Sequence, residues 1–154
     1  MEYNIILAGN PNVGKSTIFN SLTGMRQHTG NWPGKTVETA RGSFLYNNIK
    51  YNITDLPGTY SFKSDSTDEK IAGEYIKNHS DSVTVIVCDA TALERSLILA
   101  LQTMDICERA VICVNLLDEA KRKNIQINLD LLSKRLGVPV FGTNIKDRQK
   151  KKKL

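Results

Sequence analysis

Gly9-Asn10-Pro11-Asn12-Val13-Gly14-Lys15-Ser16 fits the spacing G-x-x-x-x-G-K-[ST], and the chemistry of that spacing is phosphate binding. The glycines let the backbone turn so that successive N–H groups face phosphate oxygens. A helix opening at the second glycine adds unsatisfied amide donors and the positive end of its dipole. Lys15 is then placed to reach the β- and γ-phosphates, and the Ser16 hydroxyl to ligate Mg²⁺. Gly9, Asn10, Pro11, Asn12, Val13, Gly14, Lys15, Ser16 and Thr17 are the candidate phosphate-binding residues.

Two further groups bear on the same chemistry. Asp55-Leu56-Pro57-Gly58 sits at the end of the expected strand Tyr51 to Thr54, some 40 residues downstream. Its carboxylate is placed to hold Mg²⁺ through a water and its Gly58 amide to face a γ-phosphate; taken alone, the tetrapeptide is a turn after a strand. Asn115-Leu116-Leu117-Asp118 follows the run Ala110 to Val114. Guanine offers N1–H and an exocyclic amine as paired donors to one carboxylate, whereas adenine would leave Asp118 unsatisfied. That mismatch costs roughly 1–3 kcal/mol, enough to discriminate. The plainer role for Asp118 is to cap a helix starting near Glu119. Leu116 stands where many guanine-binding proteins have a lysine packed over the base, and a leucine still supplies apolar contact. Gly142-Thr143-Asn144 is expected to line the far side of the base, or to be ordinary turn chemistry.

The elements that must position these groups alternate. Strands are expected at Tyr3 to Ala8, Tyr51 to Thr54, Val83 to Cys88, Ala110 to Asn115 and Val138 to Gly142, with a hairpin around Asn47-Asn48. Helices are expected at Lys15 to Thr23, Asp68 to Asn78, Leu93 to Cys107 and Leu129 to Leu136, and a loop from Gly24 to Gly34. Continuous apolar strands separated by helices imply an α/β fold. About six mostly parallel strands would carry helices on both faces.

The chain of 154 residues suits one domain with its own core. Its 40% apolar and 24% charged residues exclude disordered and fibrous classes. No apolar run reaches the roughly 18 residues of a membrane span, and the start lacks a secretory signal, so a soluble cytosolic chain is expected. The net charge of +5 lies in the last nine residues, while the first 145 hold 15 basic and 15 acidic side chains. A neutral body with a basic tail argues against a nucleic-acid face. Residues 1–145 are read as a nucleotide-binding domain and 146–154 as a basic tail or linker. Cys88, Cys107 and Cys113 have no metal-ligand spacing, and His28 and His79 are too few for zinc.

The sequence resembles a P-loop GTPase of Ras-like fold. The likeness is sharpest in Gly30-Asn31-Trp32-Pro33-Gly34-Lys35-Thr36-Val37-Glu38, Asp55 to Ser61, Asp89 to Ser96 and Asn115 to Ala120. Together these are similar to the N-terminal G domain of the bacterial ferrous iron transporter B (FeoB) family, over about residues 1 to 145. The resemblance implies a slow GTPase with GTP or GDP and Mg²⁺, regulating ferrous iron transport from the cytoplasmic side of the inner membrane. It implies as partners a helical regulatory domain and a membrane portion, and it leaves the oligomeric state open. Thr36 would be the threonine that closes on Mg²⁺ and γ-phosphate, with Gly34 beside the nucleotide. Met25 to Thr39 would form switch I, and Asp55 to Asp68 switch II. Thr59 stands where Ras-like enzymes place a water-orienting glutamine, which implies slow hydrolysis. A bound K⁺ held by Asn12 and the carbonyls of Gly30 and Trp32 would offset charge instead. Asn12, Lys15, Thr36 and Gly58 are thus the catalytic candidates, and Ser16, Thr36 and Asp55 the Mg²⁺ candidates. Asn144-Ile145 depart from the family's Ser-Ala at the base. Alternatives are an RNA- or ribosome-associated GTPase, or a guanine-nucleotide-binding module without catalysis.

Overall fold

The computed structural model describes residues 1–24, 27–31, 38–63 and 65–145. It is built on a seven-stranded sheet with helices on both faces. In chain order the elements are β1 (Glu2–Gly9), α1 (Lys15–Thr23), β2 (Gln27–Asn31), β3 (Glu38–Tyr46), β4 (Ile49–Asp55), α2 (Thr67–Asn78) and β5 (Val83–Asp89). A 3₁₀ turn (Ala90–Ala92) follows, then α3 (Leu93–Met104), β6 (Ala110–Asn115), α4 (Leu117–Arg122), α5 (Leu129–Leu136) and β7 (Val140–Gly142). The sheet order is β2-β3-β4-β1-β5-β6-β7. Strands β4, β1, β5, β6 and β7 run parallel, and the β2–β3–β4 edge is antiparallel.

Alternation along β1 divides the core. Leu7 faces α1, packing with Ile18, Phe19, Ile53 and Val87. Ile6 and Ala8 face the opposite way, against Ala72 and Ile76 of α2. On β5 and β6, Ile86, Cys88, Ile112 and Val114 pack with Ala100 of α3. Such strands, buried on both faces, are why the runs read as continuously apolar. Ser66 caps α2 by accepting the Glu69 N–H at 3.3 Å, and Asn128 caps α5 by accepting that of Leu131 at 2.9 Å.

The expected elements are present, with shifted ends. Helix α3 stops at Met104 and not Cys107, and β7 begins at Val140 because Pro139 has no N–H to contribute. One expectation is corrected. The stretch Gly24 to Gly34, read as a loop, contains β2, which pairs Gln27 with Gly42 through Asn31 with Glu38. Its residues carry no apolar alternation. The free edge of β3 supplies the pairing that makes it a strand, an effect of tertiary context.

Candidate functional site

The C-terminal ends of β1, β4, β6 and β7 bring the candidate residues to one edge of the sheet, where open parallel sheets hold their ligands. The loop from Gly9 to Lys15 turns sharply. Asn12 has φ 65° and Gly14, directly before α1, has φ 92°. A Cβ on Gly14 would run into the Asn115 amide, and one on Gly9 would lie 2.7 Å from the Val87 carbonyl oxygen. Both glycines are therefore required by close approach, and Gly14 by the turn as well.

Lys15 and Asp55 are each 8% exposed, and Lys15 Nζ pairs with Asp55 Oδ1. The same ammonium donates to the Leu56 carbonyl, and the Ser16 hydroxyl donates to Asp55 Oδ2 at 3.3 Å. A buried ammonium, a hydroxyl and a carboxylate thus converge from α1 and β4. The hydroxyl and carboxylate oxygens are the hard donors that suit Mg²⁺. Gly58 lies against the loop, since a Cβ there would be 3.0 Å from Pro11 N and Cα. The Thr59 N–H donates to the Gly9 carbonyl at 3.2 Å, and Asn10 Nδ2 donates to the Thr59 carbonyl at 2.9 Å. That Asn10–Thr59 link had no sign in the sequence beyond the polar character of Asn10.

At the other end of the site, Asn115 is fully buried. Its Nδ2 donates to the carbonyls of Val13 and Ile145, while its Oδ1 accepts from the Thr143 hydroxyl at 2.8 Å and the Ile145 N–H at 3.0 Å. The Asn115 amide thus ties the phosphate loop to the segment after β7 at the end of the site where the base is expected, and Thr143 is turned inward with it. Burial pushes the neighbouring Cys113 thiol up, partly offset by its contact with Thr143. Helix α4 begins at Leu117, so Asp118 sits in its first turn and not at the cap. The cap position is Leu116, held at φ 65°, an uncommon conformation for a leucine. Asn144 Oδ1 accepts the Asp118 N–H at 2.7 Å, which replaces the cap that Leu116 lacks. Arg122 donates to Asp118 Oδ2 at 3.0 Å.

Thr17 lies on the first turn of α1, and Gly30 lies in β2, paired with Thr39. Trp32, Gly34 and Thr36 lie outside the described residues, as does most of the expected switch I. Among the described residues no cluster of three or more His, Cys, Asp or Glu forms a metal site, and no helix is long and apolar enough to cross a membrane.

The family described as ferrous iron transport protein B matches residues 3–154. The chain belongs to the FeoB family. It is 46% identical over 139 residues to the Fe(2+) transporter FeoB of Escherichia coli K12, covering 88% of this chain and 18% of that relative. The G domain of T. maritima FeoB superposes with a TM-score of 0.87 at 40% identity, covering 94% of this chain and 88% of that domain. The cytosolic domain of T. maritima FeoB, solved in a GDP form, gives 0.89 at 40% identity over 94% of this chain and 57% of that one. The chain thus has the GTPase-type fold of FeoB G domains and spans about a fifth of the curated relatives' length.

Proposed function

We propose that this chain is a guanine-nucleotide switch that binds GTP and GDP with Mg²⁺, hydrolyses GTP slowly and regulates a ferrous iron transporter. The convergence of Lys15 and Ser16 on Asp55 carries the reading, because one position then serves phosphate and metal together. The GDP form of the T. maritima domain supports guanine nucleotide as the ligand, and the name of the curated relatives supports iron transport. The helical regulatory domain and the membrane portion belong to the same proposal. They place this domain on the cytoplasmic side of the membrane.

In this mechanism Lys15 and the backbone N–H groups from Asn12 to Ser16 stabilise charge developing on the β–γ bridge as the γ-phosphorus–oxygen bond breaks. Ser16, Asp55 and Thr36 hold Mg²⁺, which neutralises phosphate charge when bound. Gly58 presents its N–H to the γ-phosphate, and the family resemblance assigns Gly34 and Thr36 to the same nucleotide. Asp118 reads guanine N1–H and the amine, with Asn144 setting the helix on which it sits and Leu116 packing at the base. Thr59 has both backbone groups tied to the phosphate loop and its side chain buried, so it is poorly placed to orient water. Hydrolysis is slow for that reason. Asn12, with the carbonyls of Gly30 and Trp32, would hold a K⁺, whose charge would stand in for that of an arginine.

Single-turnover GTP hydrolysis with Mg²⁺ in K⁺ or Na⁺ tests this, using wild type, Lys15→Ala and Asn12→Ala. The expected result is slow, K⁺-stimulated phosphate release that loses its K⁺ dependence in Asn12→Ala and disappears in Lys15→Ala. Equal rates in both salts would remove the K⁺ assignment. Release unaffected by Lys15→Ala would remove the site.

A further inference from the structure

Residues 55 to 59 are tied to the phosphate loop, and the three residues that follow are held from another direction. Gln102, on α3, accepts the Phe62 N–H at 2.8 Å and the Ser61 hydroxyl at 3.2 Å, both through Oε1. The backbone donor fixes which end of the amide faces the loop, since an N–H can meet only the oxygen. Lys63 N–H donates to Ser61 Oγ at 2.9 Å, so the hydroxyl is used as donor and acceptor together. The Phe62 ring lies over Gly73 of α2, 3.6 Å from where a Cβ would stand, and packs beside the Ile6 and Ala72 cluster. The Arg95 guanidinium, in the first turn of α3, lies 4.8 Å from the centre of the Tyr60 ring.

We infer that Gln102 is a positioning residue for γ-phosphate recognition: its Oε1 anchors the far end of the Gly58-containing segment to α3. This rests on the nucleotide-switch reading. The near end of the segment is fixed by Asn10, Gly9 and Lys15. Gly58 lies only four residues before Phe62. With both ends fixed, Gly58 stays beside Pro11, and a triphosphate meets its N–H on a segment already in place. Release of the Gln102 end leaves the Thr59 bonds to Gly9 and Asn10 to hold the segment without support from α3, which loosens Gly58 for a triphosphate and leaves the diphosphate contacts alone. The Gln102 amide oxygen is engaged by Ser61 and Phe62, beyond the phosphate loop, so its effect on GDP is small.

Gln102→Met keeps length and removes the acceptor, and Gln102→Glu keeps an acceptor for both donors. Amide hydrogen exchange of the segment 60–63 and the affinities for GDP and a non-hydrolysable GTP analogue are measured on wild type and both variants. In Gln102→Met, exchange at Phe62 rises and analogue affinity falls about tenfold, as expected for two neutral hydrogen bonds of ordinary strength. GDP affinity stays within about twofold of wild type, because no diphosphate contact is touched. Single-turnover hydrolysis slows with the analogue affinity, and Gln102→Glu restores all three. Unchanged exchange in Gln102→Met, equal losses for GDP and analogue, or a Gln102→Glu that behaves like Met would each overturn the inference. A wild type that binds neither nucleotide would end both the switch reading and the discrimination role. In that case protected exchange at Phe62 would locate the failure in the nucleotide site and not in the anchor.

Discussion

At the scale of single residues, the proposed base reading rests on one carboxylate and on what holds it. Asp118 is fixed by three groups: the backbone of α4, the Asn144 side chain on its N–H and the Arg122 guanidinium on its carboxylate. Replacing Asp118 by Asn turns one acceptor into a donor at nearly the same shape. Guanine then loses a partner for its paired donors, while xanthine, with a carbonyl in place of the amine, gains one. Asp118→Asn is therefore expected to weaken GDP by about 100-fold or more and to bind xanthosine diphosphate more tightly than wild type does. Competition titration with both diphosphates checks this, and parallel loss of both would place Asp118 away from the base. Spacing alone pointed to Lys15, Ser16, Asp55 and Asp118, because the chemistry of each is carried by its own side chain. It did not reveal Asn115 as a bracket, the Asn10–Thr59 link or the Gln102 anchor. Those roles exist only where residues 40 to 102 positions apart meet, and a polar side chain in a helix or loop does not announce its partner.

At the scale of elements, the strands read from apolar runs were found, and the one built from Gln27-His28-Thr29-Gly30-Asn31 was not. Its pairing with β3 supplies what its own composition lacks. The hairpin joining β3 to β4 is the opposite case, legible in two letters. Asn47 and Asn48 have φ 50° and 60°, the pair of left-handed conformations of a type I′ turn, and Tyr46 pairs with Ile49 across it. Asparagine tolerates that region, yet glycine at the second position removes the remaining Cβ strain. Asn48→Gly is expected to raise stability by about 0.5–1 kcal/mol. The hairpin lies at the end of β4 away from Asp55, so nucleotide affinity should not change. Urea denaturation alongside GDP titration reads both quantities, and a fall in stability would show that the turn is already relaxed.

At the scale of the whole molecule, the central strands carry two thiols into the core, and these couple the fold to alkaline pH. Cys88 on β5 and Cys113 on β6 occupy opposite faces of the sheet, in separate apolar clusters. Burial pushes the Cys88 thiol from 9.0 up to about 12, with a smaller contribution from Cys113. In the unfolded chain that thiol ionises near its ordinary value, whereas the folded protein retains the proton. Above pH 9 the unfolded state thus binds fewer protons, and unfolding becomes easier as pH rises. The stabilisation is complete below pH 9 and is lost on the way to pH 12. One lagging proton is worth up to about 1.4 kcal/mol per pH unit. Other groups also titrate in this window, so the informative quantity is the difference from Cys88→Ala. That variant starts less stable, because it leaves a small cavity between β5 and α3. Between pH 8.5 and 10, however, wild type should lose about 1 kcal/mol more than the variant does in paired urea denaturations. Equal losses would mean that the thiol ionises in the folded state as freely as in the unfolded one. The layers around Cys88 would then admit water, and the same layers support the strand ends that carry Gly9, Asp55 and Asn115.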